Sequence, residues 1–224
     1  MKIEKIGHAI TPFKTKFGIP RQGGIANSIK ARIVFEPKYR SAEAIKGLEG
    51  FNYVWVIWGF SENEEREFSP TVRPPRLGGN KRMGVFATRS PFRPNGLGLS
   101  CLKLEKIEYD KNDGPVLILA GADMVNNTPV YDIKPYIPHA DLRPDAKGGF
   151  ADTIEDYILE VDFGSCKAIL TEEEEKCLAE ILREDPRPSY IENDDRVYGF
   201  LFDKYEIKFT VCGKALTVRE IKEV

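Results

Sequence analysis

The sequence predicts a mainly β protein of the α+β type: a small N-terminal β-barrel, not a Rossmann fold, followed by a smaller α+β domain. Short apolar or alternating segments, punctuated by Gly and Pro, fill the first 150 residues, and no pattern there predicts a helix longer than two turns. No G-x-G-x-x-G follows a strand, and no Walker-A loop is present. We expect the barrel domain to span residues 1–145 and the C-terminal domain residues 146–224.

The barrel is expected to form from short strands, one of them strongly apolar. Residues 51–60 (FNYVWVIWGF) are aromatic and β-branched, which is typical of a strand buried on both faces. Ser41 is expected to cap a helix of one or two turns that stops at Gly47. The remaining strands are expected, in chain order, at residues 3–10, 31–35, 83–87, 97–107 and 116–122.

The C-terminal domain is expected to follow the Pro- and Gly-rich residues 136–149 and to hold the longest helix. Thr171 and Glu174 form a capping box at the start of this helix, and Pro186 and Pro188 end it. Strands are expected around it, at residues 157–162, 197–202, 205–211 and 215–221.

The net charge of −2 hides a strong division along the chain. Residues 1–100 hold 17 Lys and Arg against 8 Asp and Glu, and the rest of the chain is acidic. Between residues 68 and 104 seven cations occur without one acid, and five of them are Arg. Protein surfaces normally mix both signs, and the planar guanidinium of Arg suits phosphate and carboxylate. This stretch therefore predicts an anionic partner.

Composition argues against several classes of protein. The longest strongly apolar run, residues 54–60, is far shorter than the roughly 20 residues of a membrane helix, and the first ten residues lack the features of a signal peptide. The four cysteines are widely spaced without a C-x-x-C pair, so neither a disulfide framework nor a zinc knuckle is expected. We therefore expect a soluble, unexported, cytoplasmic protein with reduced thiols, no membrane contact and no metal.

Four stretches together resemble one known family. They are Ile19 to Gln22 (IPRQ), Arg73 to Ser100 (RPPRLGGNKRMGVFATRSPFRPNGLGLS), Asp123 to Asp141 (DMVNNTPVYDIKPYIPHAD) and Glu184 to Tyr190 (EDPRPSY). These residues resemble the TrmO family, also called TsaA-like proteins, whose members are S-adenosylmethionine-dependent tRNA methyltransferases. The resemblance covers most of the chain. It implies a β-barrel with a smaller C-terminal domain, a homodimer, and methyl transfer to N6 of threonylcarbamoyladenosine at position 37, 3′ of the anticodon, in tRNA reading threonine codons.

The resemblance also implies which residues bind S-adenosylmethionine. Asn127 stands where the family commonly has Gly, and Ser61 and Glu62 stand where it commonly has His and Gln. Because Asn tolerates a positive φ better than most residues, we expect the turn at Asn127 to keep its shape. Family contacts carried over by motif fall on Pro20, Arg21, Gln22, Ser61, Glu62, Arg89, Leu99, Asn126, Asn127, Thr128 and Pro129.

Methyl transfer to N6 requires the amine to lose a proton, so a nearby acceptor is expected. We assign that role to Asp132, with Lys134 as its electrostatic partner; the alternative is an ion pair that braces a turn. Asp123 is expected to orient a loop or cap a turn. Phosphate contacts with tRNA are predicted for the cations Arg73, Arg76, Lys81, Arg82 and Arg93.

Two other functions stay open. The chain could hold S-adenosylmethionine or RNA without catalysing transfer, and cofactor binding without turnover on modified tRNA would favour that function. It could also methylate a different acceptor, and binding to tRNA no tighter than to random RNA would favour that one.

Overall fold

A computed structural model describes residues 2–61, 68–74, 77, 81–153, 158–187 and 196–224. Short 3₁₀ helices lie between several strands, the first of them at Pro37–Tyr39 and Ala42–Ile45. In chain order the strands and α-helices are β1 (Gly7–Ile10), β2 (Lys30–Phe35), β3 (Tyr53–Gly59), β4 (Thr71–Val72), β5 (Met83–Gly84), β6 (Leu97–Asp110), β7 (Gly114–Ala120), β8 (Thr128–Pro135), α1 (Pro138–Asp141), β9 (Glu160–Asp162), α2 (Glu172–Arg183), β10 (Tyr198–Phe202), β11 (Tyr205–Cys212) and β12 (Ala215–Glu223).

Six antiparallel strands close into a barrel in the order β1-β2-β7-β6-β3-β8. The inward-facing side chains of Ile33, Val56, Leu102 and Leu117 are fully buried. Closure pairs each strand on both sides, so the barrel leaves no open edge. The predicted fold class, a small β-barrel and not a Rossmann sheet, is confirmed.

The strand predicted over residues 51–60 forms as β3, but the prediction that both its faces are buried is wrong. Val54 and Val56 are buried, whereas Tyr53 is exposed and Trp55 and Ile57 are only half-buried. A strand in a closed barrel has one face toward the core, so its other face meets solvent however apolar its residues are.

β8 is a barrel strand that the sequence analysis does not predict. Pro129 and Pro135 bound it, and Asp132 and Lys134 interrupt its apolar pattern. The strand pairs with β1 on one side and with β3 on the other, where a bulge shifts the register between Ile57 and Trp58. Asp132 and Lys134, whose alternative role was to brace a turn, therefore lie on a strand.

The C-terminal residues form a four-stranded sheet, β10-β11-β12-β9, with α2 packed beside it. The predicted capping box is confirmed: Thr171 Oγ1 accepts a hydrogen bond from the Glu174 amide at 3.3 Å, and Glu174 Oε2 accepts one from the Thr171 amide at 2.8 Å. Leu178 and Leu182 on one face of α2 are fully buried. The α+β character of the C-terminal part is confirmed, and the domain boundary at residue 145 stays a prediction.

The C-terminal sheet touches the chain segment that follows β1. The rings of Phe13 and Phe202 lie 5.9 Å apart, and the Asp203 amide donates to the Pro12 carbonyl at 2.8 Å. A Cβ at Gly18 would come within 2.5 Å of the Phe200 ring, so only Gly fits there. This packing positions the residues that come next in the chain, which reach the candidate site.

Candidate functional site

A cavity of about 540 Å³ opens beside the barrel. Its volume lies in the range of about 300–1,000 Å³ that is usual for small-molecule sites. Five chain segments supply its walls: residues 16–22, 55–61, 88–93, 97–99 and 123–128. Segments so distant in sequence meet because the barrel closes and because the C-terminal sheet packs on the segment before residue 19, which makes this cavity the candidate site.

Most of the predicted cofactor residues line this cavity. Asn126, Asn127 and Pro129 belong to the same loop as Thr128 but are not among the lining residues. Glu62 lies outside the described residues. Those that line the cavity are Pro20, Arg21, Gln22, Ser61, Arg89, Leu99 and Thr128.

The loop before β8 contains a residue with a positive φ, a conformation that glycine adopts easily. Asn127 adopts φ of 64°, so the prediction that it keeps the turn is confirmed. Its amide donates to the Ala9 carbonyl at 2.8 Å, and Asn126 Oδ1 accepts from the Thr11 amide at 3.1 Å. Thr128, which is buried, donates its hydroxyl to the Val125 carbonyl at 2.7 Å. Asn126 and Asn127 thus hold the loop on which Thr128 faces the cavity.

Two arginines of the central motif, Arg89 and Arg93, line the cavity and donate hydrogen bonds there. A guanidinium N–H of Arg89 donates to the side-chain oxygen of Gln22, which links the central motif to the first predicted binding loop. Arg93 donates to the Thr88 carbonyl at 3.1 Å and also lines the cavity. Arg93 was predicted to contact tRNA phosphate, and the structure brings it to the cavity.

Asp123 is a cavity residue that the sequence analysis did not assign to the site. Its Oδ1 accepts a hydrogen bond from Ser100 Oγ at 2.7 Å, and Ser100 in turn accepts one from Trp58 Nε1 at 2.9 Å. Burial raises the pKa of this carboxyl, although hydrogen bonds from Ser100 and from the Gly23 amide act in the opposite direction. An acid three residues after the end of the apolar strand β7 is the sequence signal that could have identified it.

An aromatic wall forms the apolar side of the cavity. Trp55, Trp58 and Phe60 line it, and the rings of Trp58 and Phe60 lie 4.5 Å apart in an edge-to-face arrangement. Gly98 lies directly on Trp58, where a Cβ would come within 2.3 Å of the indole. Combined with Asp123 and the lining cations Arg21 and Arg89, this wall suits a ligand with a flat apolar part and charged ends.

The predicted catalytic pair lies on the outer face of the barrel. Lys134 Nζ and Asp132 Oδ2 are 3.1 Å apart; the Lys134 side chain is largely exposed and the Asp132 side chain about half exposed. Asp132 pairs with Ile57, and Ile57 pairs with Leu99 at the cavity. Lys134 pairs with Trp55, which lines the cavity, so the ion pair lies on the strand next to a cavity-lining strand. The ion pair forms on a strand, and its catalytic role stays a prediction.

The predicted tRNA contacts occupy a two-stranded ribbon, β4 with β5, and the residues beside it. Arg73, Lys81 and Arg82 are exposed there, and Arg82 Nε donates to Thr71 Oγ1 at 2.7 Å. Arg76 lies outside the described residues. The ribbon thus presents cations to solvent, separate from those of the cavity wall.

The described residues contain no helix that is long and apolar enough to cross a membrane. They also contain no group of three or more His, Cys, Asp or Glu side chains that could hold a metal ion.

Comparisons with known proteins agree with this architecture. Two family models match the chain, the tRNA-methyltransferase O N-terminal domain over residues 8–142 and the TrmO C-terminal domain over residues 157–224. The chain is 38% identical to the tRNA (adenine(37)-N6)-methyltransferase of Escherichia coli strain K12, with 97% of this chain and 96% of that protein covered. It is 45% identical to the protein of the same name from Eikenella corrodens, with 72% of this chain and 91% of that protein covered. A crystal structure of TrmO from Pseudomonas aeruginosa has a TM-score of 0.79 at 28% identity, with 99% of this chain and 98% of that chain covered.

Proposed function

This chain belongs to the TrmO family of tRNA (adenine-N6)-methyltransferases, and we propose that it methylates N6 of threonylcarbamoyladenosine at position 37 in tRNA reading threonine codons. The proposed methyl donor is S-adenosylmethionine. One observation carries the proposal: three motif stretches that are far apart in the chain, around Pro20, Arg89 and Thr128, meet at one cavity.

The cavity residues suit the chemical groups of this donor. Arg89, oriented by Gln22, would hold its carboxylate, Asp123 its ammonium group, and the aromatic wall beside Trp58 its adenine. When bound, S-adenosylmethionine supplies a methyl group that its sulfonium has already activated. The residues of this chain therefore have to bind the donor, align it with the acceptor and exclude water.

The tRNA is proposed to bind along the exposed cations of the ribbon, Arg73, Lys81 and Arg82. These cations belong to residues 68–104, which hold no Asp or Glu, and such cations attract a phosphate chain and make its binding salt-dependent. A homodimer is proposed as well, supported by the exposed aromatic side chains of Tyr53 on β3 and Tyr109 on β6, which lie outside the cavity lining. A cytoplasmic location is proposed because the substrate is tRNA.

Asp132 is proposed as the acceptor of the N6 proton, with Lys134 as its partner. Its carboxylate is accessible to a large substrate and makes an ion pair with the Lys134 ammonium at 3.1 Å. In this arrangement the target base would lie over the outer face of β3, next to Leu99 at the cavity. Asp123 is the rival acceptor, because it lies within the cavity itself.

The test is methyl transfer from labelled S-adenosylmethionine to total tRNA from cells that lack this protein, with nucleoside analysis of the product. Label in N6-methylated threonylcarbamoyladenosine is the expected result. Label in another nucleoside would overturn threonylcarbamoyladenosine as the acceptor. If calorimetry shows that S-adenosylmethionine binds but no methyl group is transferred, the protein is a binding module and not an enzyme acting on this tRNA.

A further inference from the structure

The cofactor loop, defined here as residues 12–29, runs between the barrel and the C-terminal part of the chain. Toward the barrel, the Gly24 amide donates to the Gly121 carbonyl at 2.9 Å, and the Gly23 amide is bonded to Asp123. Toward the C-terminal sheet, Phe17 and Phe200 make an edge-to-face contact with centroids 6.1 Å apart. The loop that carries Pro20, Arg21 and Gln22 is thus supported on two sides.

At its far end the loop is bonded to α2 through every polar group of Ser28. The Ser28 amide and hydroxyl donate to the two carboxylate oxygens of Glu180, each at 2.8 Å. Burial raises the pKa of the Cys177 thiol to about 11, so the thiol stays protonated at neutral pH. It can therefore donate to the Ser28 carbonyl, at an Sγ–O distance of 3.3 Å.

A second link lies at the cavity itself. Arg21 Nη2 donates to the backbone carbonyl of Asp185 at 3.0 Å. Asp185 follows α2 with φ of 48°, and its carboxylate makes two hydrogen bonds with the Arg187 guanidinium, at 2.8 and 2.9 Å. The left-handed turn and the ion pair fix the direction of the carbonyl that Arg21 meets.

We propose that α2 and the turn after it position the cofactor loop, with Glu180 and Asp185 holding Ser28 and Arg21 so that residues 20–22 are preorganised at the cavity. The identity of the ligand, S-adenosylmethionine, rests on the proposed function. The C-terminal part of the chain then contributes to cofactor affinity without touching the cofactor. Glu180 is a positioning residue, since it acts through Ser28.

Docking of the two parts alone would not require these groups. The rings of Phe13 and Phe202, and those of Phe17 and Phe200, already make an apolar contact between them. A half-buried carboxylate such as Glu180 costs desolvation that further apolar packing would avoid. Its two hydrogen bonds go to one serine of the cofactor loop, which favours a role in fixing that loop.

The experiment compares two glutamates two helical turns apart on α2. In Glu180→Gln the side chain keeps its size but no longer offers two acceptor oxygens to Ser28. We expect a dissociation constant for S-adenosylmethionine about tenfold higher by calorimetry, since the fraction of binding-competent loop falls. Turnover at saturating cofactor should stay unchanged, and hydrogen exchange of amides in residues 19–29 should accelerate. Glu173→Gln, which removes only an exposed ion pair with Lys30, should change none of these.

Ser28→Ala provides a second, milder variant, because it deletes the hydroxyl but keeps the amide bond to Glu180; we expect about a threefold loss of affinity. Wild-type affinity and exchange in Glu180→Gln would overturn the positioning role. Absence of any S-adenosylmethionine binding by the wild-type chain would instead overturn the proposed function. Loop exchange in Glu180→Gln would still decide the positioning role, because it needs no ligand.

Discussion

The cavity and the ribbon draw on the same acid-free stretch, residues 68–104, but hold its arginines differently. Arg89 and Arg93 line the cavity, whereas Arg73 and Arg82 lie on or beside the ribbon, outside the cavity lining. Arg89 and Arg82 are both exposed and each donates a side-chain hydrogen bond, so their location and not their exposure separates them. Cations gathered at a cavity can hold one small ligand of fixed shape, while cations on an open ribbon can contact a phosphate chain. The comparison teaches that the ligand expected for each cation depends on where the fold places it.

The largest expected effect separates chemistry from binding. Asp132→Asn should lower kcat about 100-fold, within the usual range for a lost proton acceptor, and leave the affinity for S-adenosylmethionine unchanged. Asp123→Asn should weaken cofactor binding, because its carboxylate lies within the cavity. Single-turnover kinetics and calorimetry on both variants measure this. Normal turnover by Asp132→Asn, with none by Asp123→Asn, would move the acceptor into the cavity.

Arg89→Ala tests the cavity side of the comparison directly. Loss of an oriented, charge-assisted contact should raise the dissociation constant for S-adenosylmethionine about 10- to 100-fold. Arg89→Lys keeps the charge but not the planar fork, so its loss should be intermediate. Calorimetry measures both values. Unchanged affinity in Arg89→Ala would remove this residue from the cofactor site.

Arg82→Ala tests the ribbon side. We expect tRNA affinity to fall a few-fold, and the slope of its salt dependence to fall by about one, with no change in cofactor binding. Arg219→Ala is the matched control, since Arg219 also donates through Nε to a threonine hydroxyl, that of Thr210 at 3.0 Å, on the C-terminal sheet. Equal losses in filter-binding titrations of the two variants would contradict a specific tRNA surface on the ribbon.

The smallest expected effect is on how the free energy of unfolding depends on pH. Burial raises the pKa of Asp123 in the folded state above its ordinary 3.8, so the folded chain binds this proton more tightly than the unfolded chain. The stability of the wild type relative to Asp123→Asn should therefore fall as pH rises through the interval just above 3.8, by about 1.4 kcal/mol for each unit of pKa elevation. Urea unfolding at several pH values measures this difference, and a difference that grows with pH would contradict it.

Local signals predicted some elements well. Thr171 and Glu174 are three residues apart, and their capping box forms as expected. Ser41 accepts a hydrogen bond from the Glu43 amide and caps a short helix, and Gly47 beyond it takes the left-handed conformation with φ of 87°. These interactions depend only on neighbouring residues, so the sequence is sufficient to predict them.

Other features depended on residues far away in the chain. The outer face of β3 is partly exposed because the barrel closes, and β8 exists because β1 and β3 pair with it. Asp123 joins the cavity through Ser100, 23 residues before it, and Ser100 meets Trp58, another 42 residues away. No local pattern encodes such meetings.

The sequence by itself determined the fold class, the family and seven of the twenty described residues that line the cavity, because these follow from strand periodicity and long, specific motifs. Only the tertiary structure decided which arginines line the cavity and which lie on the ribbon. It also decided that α2 holds the cofactor loop, through contacts between residues 164 and 152 positions apart, Arg21 with Asp185 and Ser28 with Glu180. The physical reason is that hydrogen bonds and burial depend on distance in space, and only folding brings residues so far apart in the chain into contact.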